Sequence, residues 1–368
     1  MIATNDSCIE DASIMRTLIL LVLLTLAACT YAPKQQGLRV TDDHNLPEPK
    51  IKFLGVGGWL LRWKDEGLLL APSFTNPATL GILGVPPLTV ESDPEKIDRN
   101  MPDAQYVTML LVGHAHYDHL LDVARVVNVQ APNAVIYGSE TVRHILQAYT
   151  PKPTTVVPGR AQISNHKDPG WPGTWFYSSG QYLRDGANPL ELPGGMPRGR
   201  IRAMPVESMH APHIFGQNLL PGGYDRDLEQ IPTSIFDWKN GHKTLAWVID
   251  LLDDSGRPVY RIHYQDSAAD PPWGFPPVIA DSKGFDVEIL CAASWDKVAY
   301  YPIGLLRVTR PKKVLIGHWE NFFGNDLQKP ARTIPLQKYQ QLMEHLKGYE
   351  TVVPEPMSEV RLPAIPKP

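Results

Sequence analysis

The feature that most constrains this chain is a histidine cluster that directly follows an apolar run. Tyr106–Val112 is the apolar run, and its composition predicts a buried β-strand. The cluster has the sequence H-A-H-Y-D-H over residues 114–119. Because alternate side chains of an extended backbone share one face, His114 and His116 can point to the same spot.

Asp118 and His119 complete the cluster. If a helix begins at residue 117 or 118, both side chains emerge from its first turn, beside that spot. Imidazole and carboxylate together suit zinc and its borderline neighbours better than calcium or magnesium. The pattern therefore predicts a metal site that needs further ligands from distant parts of the chain.

Three distant polar residues each follow an apolar β run, which is the arrangement that gathers ligands along one edge of a sheet. They are His210 after Ile201–Val206, Asp266 after Val259–Tyr264, and His318 after Lys313–Ile316. A single histidine after a strand is a weak signal, since most such residues are ordinary hydrogen-bonded polar groups. Their joint order behind the cluster makes them candidate ligands.

This order of motifs resembles the metallo-β-lactamase superfamily over about residues 50–320. The resemblance is closest to the branch that contains N-acyl-phosphatidylethanolamine phospholipase D and L-ascorbate-6-phosphate lactonase. Shared features are an apolar hairpin like Gly55–Pro72, a long proline-rich loop before the cluster, and His318-Trp319 after the last strand. The resemblance implies an α/β fold, a four-layer αββα sandwich with metals at one edge of its two sheets.

The resemblance also implies a dinuclear site. One metal would be held by His114, His116 and His210, the second by Asp118, His119 and His318, and Asp266 would bridge both. Two zinc ions are expected, with iron or manganese as alternatives. They would lower the pKa of a bridging water and so supply hydroxide, and Asp118 would orient this nucleophile or take its proton.

Two of these assignments have rivals in the sequence. His213 lies three residues after His210 and is an alternative third ligand or a substrate contact. Asp270 is an alternative to Asp266, because the family often has glycine before the bridging aspartate and this chain has Gln265. The remaining histidines are predicted not to be ligands: His44, His144, His166, His242, His263 and His345.

The N-terminus predicts a lipid anchor. Leu18–Ala28 is too short to span a bilayer but has the length of a signal-peptide core, and Leu26-Ala27-Ala28-Cys29 resembles a bacterial lipobox with Cys29 as the lipidated residue. Met15 fits as the true start, because the residues before it carry acids and no base. We expect a bacterial envelope protein, anchored in the outer membrane and facing the periplasm, since Thr30 is not the aspartate of inner-membrane retention.

The expected organisation is a signal peptide over 1–28, a tether over 29–49 and a single hydrolase domain over 50–368. Ile51–Trp63 and Leu68–Phe74 are predicted as two strands of a hairpin, and 75–103 and 150–199 as long loops that wall the site. Cys291 is left as one buried thiol and cannot form an intramolecular disulfide once Cys8 and Cys29 are accounted for.

The net charge of −4 carries no electrostatic signature of nucleic-acid binding, so the expected partners are a small-molecule or lipid substrate and the membrane. The first expectation for function is a metal-dependent hydrolase of a phosphodiester or an ester. A lactonase is the alternative within this class. The alternative from another class is a non-catalytic metal-binding envelope lipoprotein.

Overall fold

A computed structural model describes residues 37–167, 172–178, 182–184, 199–213 and 216–365. The predicted signal peptide, Met15 and Cys29 lie outside the described residues. Within those ranges, no helix combines the length and the apolar content needed to cross a bilayer.

The described residues form sixteen strands and six α-helices. The strands are β1 Val40–Thr41, β2 Lys50–Gly55, β3 Gly58–Trp63, β4 Glu66–Leu70, β5 Val107–Leu111, β6 Val135–Tyr137, β7 Thr155–Val156, β8 Thr174–Tyr177, β9 Tyr182–Arg184, β10 Ile201–Ser208, β11 Thr244–Leu252, β12 Pro258–Tyr264, β13 Val287–Cys291, β14 Lys313–Gly317, β15 Glu350–Pro354 and β16 Glu359–Arg361. The helices are α1 Pro94–Asn100, α2 Tyr117–Leu120, α3 Val123–Val129, α4 Glu140–Leu146, α5 Ile303–Thr309 and α6 Tyr339–His345.

These strands make two mixed sheets. Sheet I has the order β16-β2-β3-β4-β5-β6-β7 and changes from antiparallel to parallel pairing at β4. Sheet II has the order β1-β15-β14-β13-β12-β11-β10-β8-β9, with parallel pairing from β1 to β12 and antiparallel pairing beyond it. The predicted α/β fold with two sheets is confirmed.

The side-chain alternation of sheet I places it between two apolar layers. In β5, Met109 and Leu111 join the core between the sheets, whereas Leu110 joins the core under helices α1 to α4. Helices α5 and α6 contribute Leu305 and Leu342 to the core that they share with sheet II. Helices therefore cover the outer side of sheet I and pack against sheet II, which is the layered order expected from the sequence.

The predicted hairpin differs from the structure in one respect. The sequence predicts Ile51–Trp63 as a single strand, but this range contains all of β2 except Lys50, a turn at Val56-Gly57 and the whole of β3. The apolar run continues through the turn because Val56 is itself fully buried, so hydrophobicity alone does not mark the break. The turn lies against the functional site described below.

Both predicted loops contain regular structure. Helix α1 lies within 75–103, where the Asp93 side chain accepts the Lys96 N–H and Pro94 occupies the first helical turn. Strand β8 lies within 150–199 and buries Trp175 and Tyr177 on sheet II. These two aromatic side chains therefore pack a sheet and do not line the walls of a site.

The domain also begins earlier than residue 50. Leu38 is buried in the core, and Val40–Thr41 pair with β15 as the edge strand of sheet II. The Leu46 N–H donates to the Glu359 carboxylate at 2.9 Å. The second half of the predicted tether is thus part of the folded domain.

Candidate metal centre

The cluster and the distant candidate residues meet at one edge of the two sheets. Strands β10, β12 and β14 run in the same direction in sheet II and end at this edge with His210, Asp266 and His318. The cluster follows β5 of sheet I, and the Leu245 N–H of sheet II donates to Gly113 O at 2.8 Å beside it. The edge therefore takes side chains from both sheets.

All seven predicted ligands come together there. Within each of three groups, one potential ligand atom of every residue lies within 4.8 Å of the others. The groups are His114, His116 and His210; His114, His119 and Asp266; and Asp118, His119 and His318. Because the groups share His114 and His119, they form one continuous cluster, and the role of its members as ligands remains a prediction.

The three imidazole rings of the first group lie around one point. The His210 ring centroid lies 4.6 Å from those of both His114 and His116. His210 donates its Nδ1–H to Ala211 O at 2.6 Å, and His114 Nδ1 lies 3.1 Å from Asp266 Oδ1. Each Nδ1 thereby carries the proton and each Nε2 keeps a lone pair. The Nε2 of His114 is buried and has no hydrogen-bond partner in the described part of the chain, so its lone pair is available to bind a cation.

Asp266 is the carboxylate at the centre of the cluster. Its Oδ2 accepts the Gly113 N–H at 3.0 Å and lies 3.5 Å from His119 Nδ1. Burial by itself raises the pKa of Asp266, but His114 and His119 outweigh it, so the pKa falls below its usual value. The rival Asp270 is exposed and accepts the Ala299 N–H, so the structure places Asp266 in the cluster and leaves Asp270 outside it.

The last group joins helix α2 to the end of β14. Asp118 Oδ2 lies 3.2 Å from His318 Nε2 and 3.6 Å from His119 Nε2. Burial raises the pKa of Asp118, but the two imidazoles offset this and hold its pKa well below the usual range. The carboxylate is therefore ionised at neutral pH, the form in which it binds a cation.

Burial keeps three of the histidines neutral. It lowers the pKa of His116 and His210 well below the ordinary value, and nearby imidazoles lower it further. The same causes lower the pKa of His119 to about 3. A neutral imidazole is the form that ligates a metal. The donor set of imidazoles and carboxylates therefore fits divalent zinc, iron or manganese.

The rival His213 lies beside the cluster. Its ring stacks on His210 with centroids 4.8 Å apart, and its Nδ1 accepts the Leu219 N–H at 3.1 Å. It belongs to none of the three groups. The geometry thus places His210 among the candidate ligands and His213 at their side.

The six histidines predicted not to be ligands lie outside these groups in the described part of the chain. His263 is the most buried of them, and its Nδ1 lies 2.6 Å from Glu288 Oε1 with both side chains fully buried. The others contact partners elsewhere: His44 with Asp42, His144 with Asp227, His242 with Asp225, His166 with Trp273 and His345 with Trp295.

Sequence reasoning missed the residues that hold the ligands in place. Gly113 is one, since a Cβ there would lie 2.3 Å from Asp266 Oδ1. Tyr264 is another, donating its hydroxyl to Gly57 O at 2.9 Å. The third is Glu320, whose carboxylate accepts the Val56 N–H. Of these contacts, only the one at Gly57 has a signal in the sequence, because the adjacent glycines Gly57 and Gly58 mark a turn.

No sequence family matches this chain, and no curated protein matches it. Solved structures with a similar arrangement include Igni18, a metallo hydrolase from Ignicoccus hospitalis, at 14% identity, covering 84% of this chain and 97% of that chain, TM-score 0.43. The metallo-β-lactamase fold protein YhfI from Bacillus subtilis has 12% identity, coverage of 85% and 99%, and TM-score 0.42. CmlA, a diiron β-hydroxylase from Streptomyces venezuelae, has 10% identity, coverage of 87% and 55%, and TM-score 0.44. This chain thus spans about half of CmlA.

Proposed function

We propose that this protein is a metal-dependent hydrolase whose centre binds two divalent cations through the seven clustered side chains. The observation that carries the proposal is the overlap of three ligand groups through His114 and His119. Two cations side by side need such shared or neighbouring ligands, whereas a single cation needs only one group. Zinc is the first expectation, and iron or manganese fit the same donors.

The bound cations would supply a nucleophilic hydroxide at neutral pH and positive charge against the negative charge of the transition state. Around them, the chain's own residues set the geometry. The Gly113 N–H and His114 hold the Asp266 carboxylate in place. The ionised Asp118 carboxylate would accept a hydrogen bond from the attacking water and orient it towards the substrate.

We propose a phosphodiester or carboxylic ester as the substrate, with a lactone as the alternative. The resemblance of the motif order to the phospholipase branch supports the phosphodiester. Arg202, near the start of β10, is too far away to contact a substrate phosphate at the cluster, because β10 is eight residues long and the cluster lies beyond its other end. Arg202 is also paired with Asp250 at 2.6 Å. The charge that meets the substrate would therefore come from the cations.

Turnover is the experiment that tests the hydrolase. Purified chain loaded with zinc or manganese is assayed on bis-p-nitrophenyl phosphate and on a panel of lactones. Asp118→Ala is the inactive control and Asp118→Asn the variant of matched shape. Hydrolysis of one substrate class above both variants supports the proposal. A metal-loaded chain that turns over neither class above Asp118→Ala favours the non-catalytic metal-binding lipoprotein.

We also propose that Cys29 is lipidated and anchors the domain to the outer membrane, facing the periplasm. The support is the lipobox-like sequence before Cys29 and the short apolar segment that precedes it. Partition of the full-length chain into a detergent phase, with Cys29→Ala as the control, tests the anchor. A peptide covering Ile2–Ile14 in the precursor would contradict a start at Met15.

A further inference from the structure

The turn between β2 and β3 forms one wall of the metal centre. A Cβ at Gly57 would lie 2.6 Å from the His119 ring and 3.0 Å from Tyr264 Oη, so the bare backbone of Gly57 rests against the imidazole. The Tyr264 hydroxyl donates to Gly57 O at 2.9 Å. Any shift of this turn therefore changes the space available to His119.

The turn holds a strained residue. Val56 is fully buried and has a φ of 53°, a left-handed conformation that a β-branched side chain avoids. Such strain persists only where surrounding contacts impose it. The contacts must therefore be found in the segment that packs on the turn.

Two hydrogen bonds from the segment after β14 restrain Val56. The His318 N–H donates to Val56 O at 2.9 Å, and the Val56 N–H donates to Glu320 Oε1. His318 itself has a φ of 53°. A candidate ligand and its neighbour two residues later thus hold the two peptide units on either side of the Val56 Cα.

Glu320 is an unusual partner for a backbone N–H. Its side chain is fully buried, and its Oε2 has no hydrogen-bond partner among the described residues. A buried carboxylate costs more desolvation free energy than a buried amide, although either accepts one N–H.

We propose that Glu320 is the positioning residue for the Asp118, His119 and His318 half of the metal centre, because it holds the strained Val56 turn against His119 and His318. This inference rests on the proposed two-metal function. None of the contacts described for the turn involves His116 or His210, so loosening the turn should affect one cation and spare the other.

The experiment measures zinc per chain and zinc affinity for the full chain at buffered free zinc. Glu320→Ala is expected to lower tightly bound zinc from about two to about one per chain, with a loss of roughly 10- to 100-fold in affinity for the second. Glu320→Gln keeps an acceptor for the Val56 N–H and is expected to hold two zinc ions. Glu66→Ala is the matched control, since Glu66 accepts the Arg200 N–H at 2.9 Å and takes no part in the cluster.

A second substitution tests the strain. Val56→Gly removes the cost of the left-handed φ, so adding it to Glu320→Ala should restore part of the second zinc. If Glu320→Ala does not fold, Glu320→Asp serves instead, because its shorter side chain withdraws the carboxylate from Val56 and keeps the charge. It should lose the second zinc in the same way.

Several results would overturn the proposal. They are two tight zinc ions in Glu320→Ala or in Glu320→Asp, an equal loss in Glu320→Gln, an equal loss in the control Glu66→Ala, or no recovery with Val56→Gly. A different result would contradict the hydrolase proposal: a wild-type chain that binds two zinc ions but turns over no substrate. A wild-type chain that binds fewer than two overturns both, because no second cation is then held.

Discussion

Gly113→Ala is the substitution whose effect follows most directly from the structure. A methyl group at this position would lie 2.3–2.4 Å from all three atoms of the Asp266 carboxylate. Ordinary contacts of a Cβ begin near 3.4 Å, so the carboxylate or the backbone has to move by about 1 Å. Asp266 has no free direction, because its side chain is fully buried between His114, His119 and the Gly113 N–H.

Two magnitudes follow from that displacement. Overpacking of a rigid site costs about 1–3 kcal/mol of the free energy of unfolding. A displacement of about 1 Å at reacting groups costs about 100-fold in rate. We therefore expect Gly113→Ala to unfold at lower urea concentration without metal and to lose about 100-fold in turnover with metal.

Urea denaturation of the chelator-treated chain and steady-state turnover of the metal-loaded chain measure these two effects. Gly284→Ala is the matched control, since Gly284 is exposed, has no heavy atom within 4 Å of its would-be Cβ and has an ordinary φ. It should change stability by less than about 1 kcal/mol. Turnover of Gly113→Ala within threefold of the wild type would refute the tight contact with Asp266.

Further predictions concern the histidines. His116→Ala should lower zinc content and turnover together, measured by elemental analysis and initial rates, whereas the exposed His242→Ala should change neither. His263→Ala should keep its zinc but lose about 3–5 kcal/mol in the free energy of unfolding, because the buried Glu288 loses its partner; loss of zinc from folded protein would contradict this. At pH 6 an ordinary imidazole is about three-quarters protonated and releases its proton when it binds a metal. The three histidines with lowered pKa are already neutral, so metal binding should release about two fewer protons per chain than three ordinary histidines would. Calorimetry in buffers of different ionisation enthalpy counts these protons, and release from all three would contradict the lowered pKa.

The sequence predicts strands well where an apolar run is bounded by polar residues. The predicted runs Ile201–Val206 and Lys313–Ile316 begin at the first residues of strands β10 and β14 and end within two residues of their last. Prediction fails where a turn is buried, as at Val56, because burial extends the apolar pattern across the break. It also misses Val123–Val129, whose valines favour strands by propensity but form a helix in the core under sheet I.

The candidate ligands follow from motif and order, because each stands directly after a strand and strand ends meet at one edge. Their supporting contacts do not follow from the sequence. Glu320 reaches Val56 across 264 residues and Asp266 meets Gly113 across 153. Such pairs have no local signature, and only the folded sheets bring them together.

The construction of the centre from both sheets has a thermodynamic consequence. The cluster belongs to sheet I, whereas His210, Asp266 and His318 belong to sheet II, so a bound cation fastens the two layers along one margin. A cation at about 100 times its Kd adds about 2.7 kcal/mol to the folded state. The lifetime of this protein against proteases would then follow the metal supply of its compartment, and starvation for metal would remove the polypeptide itself.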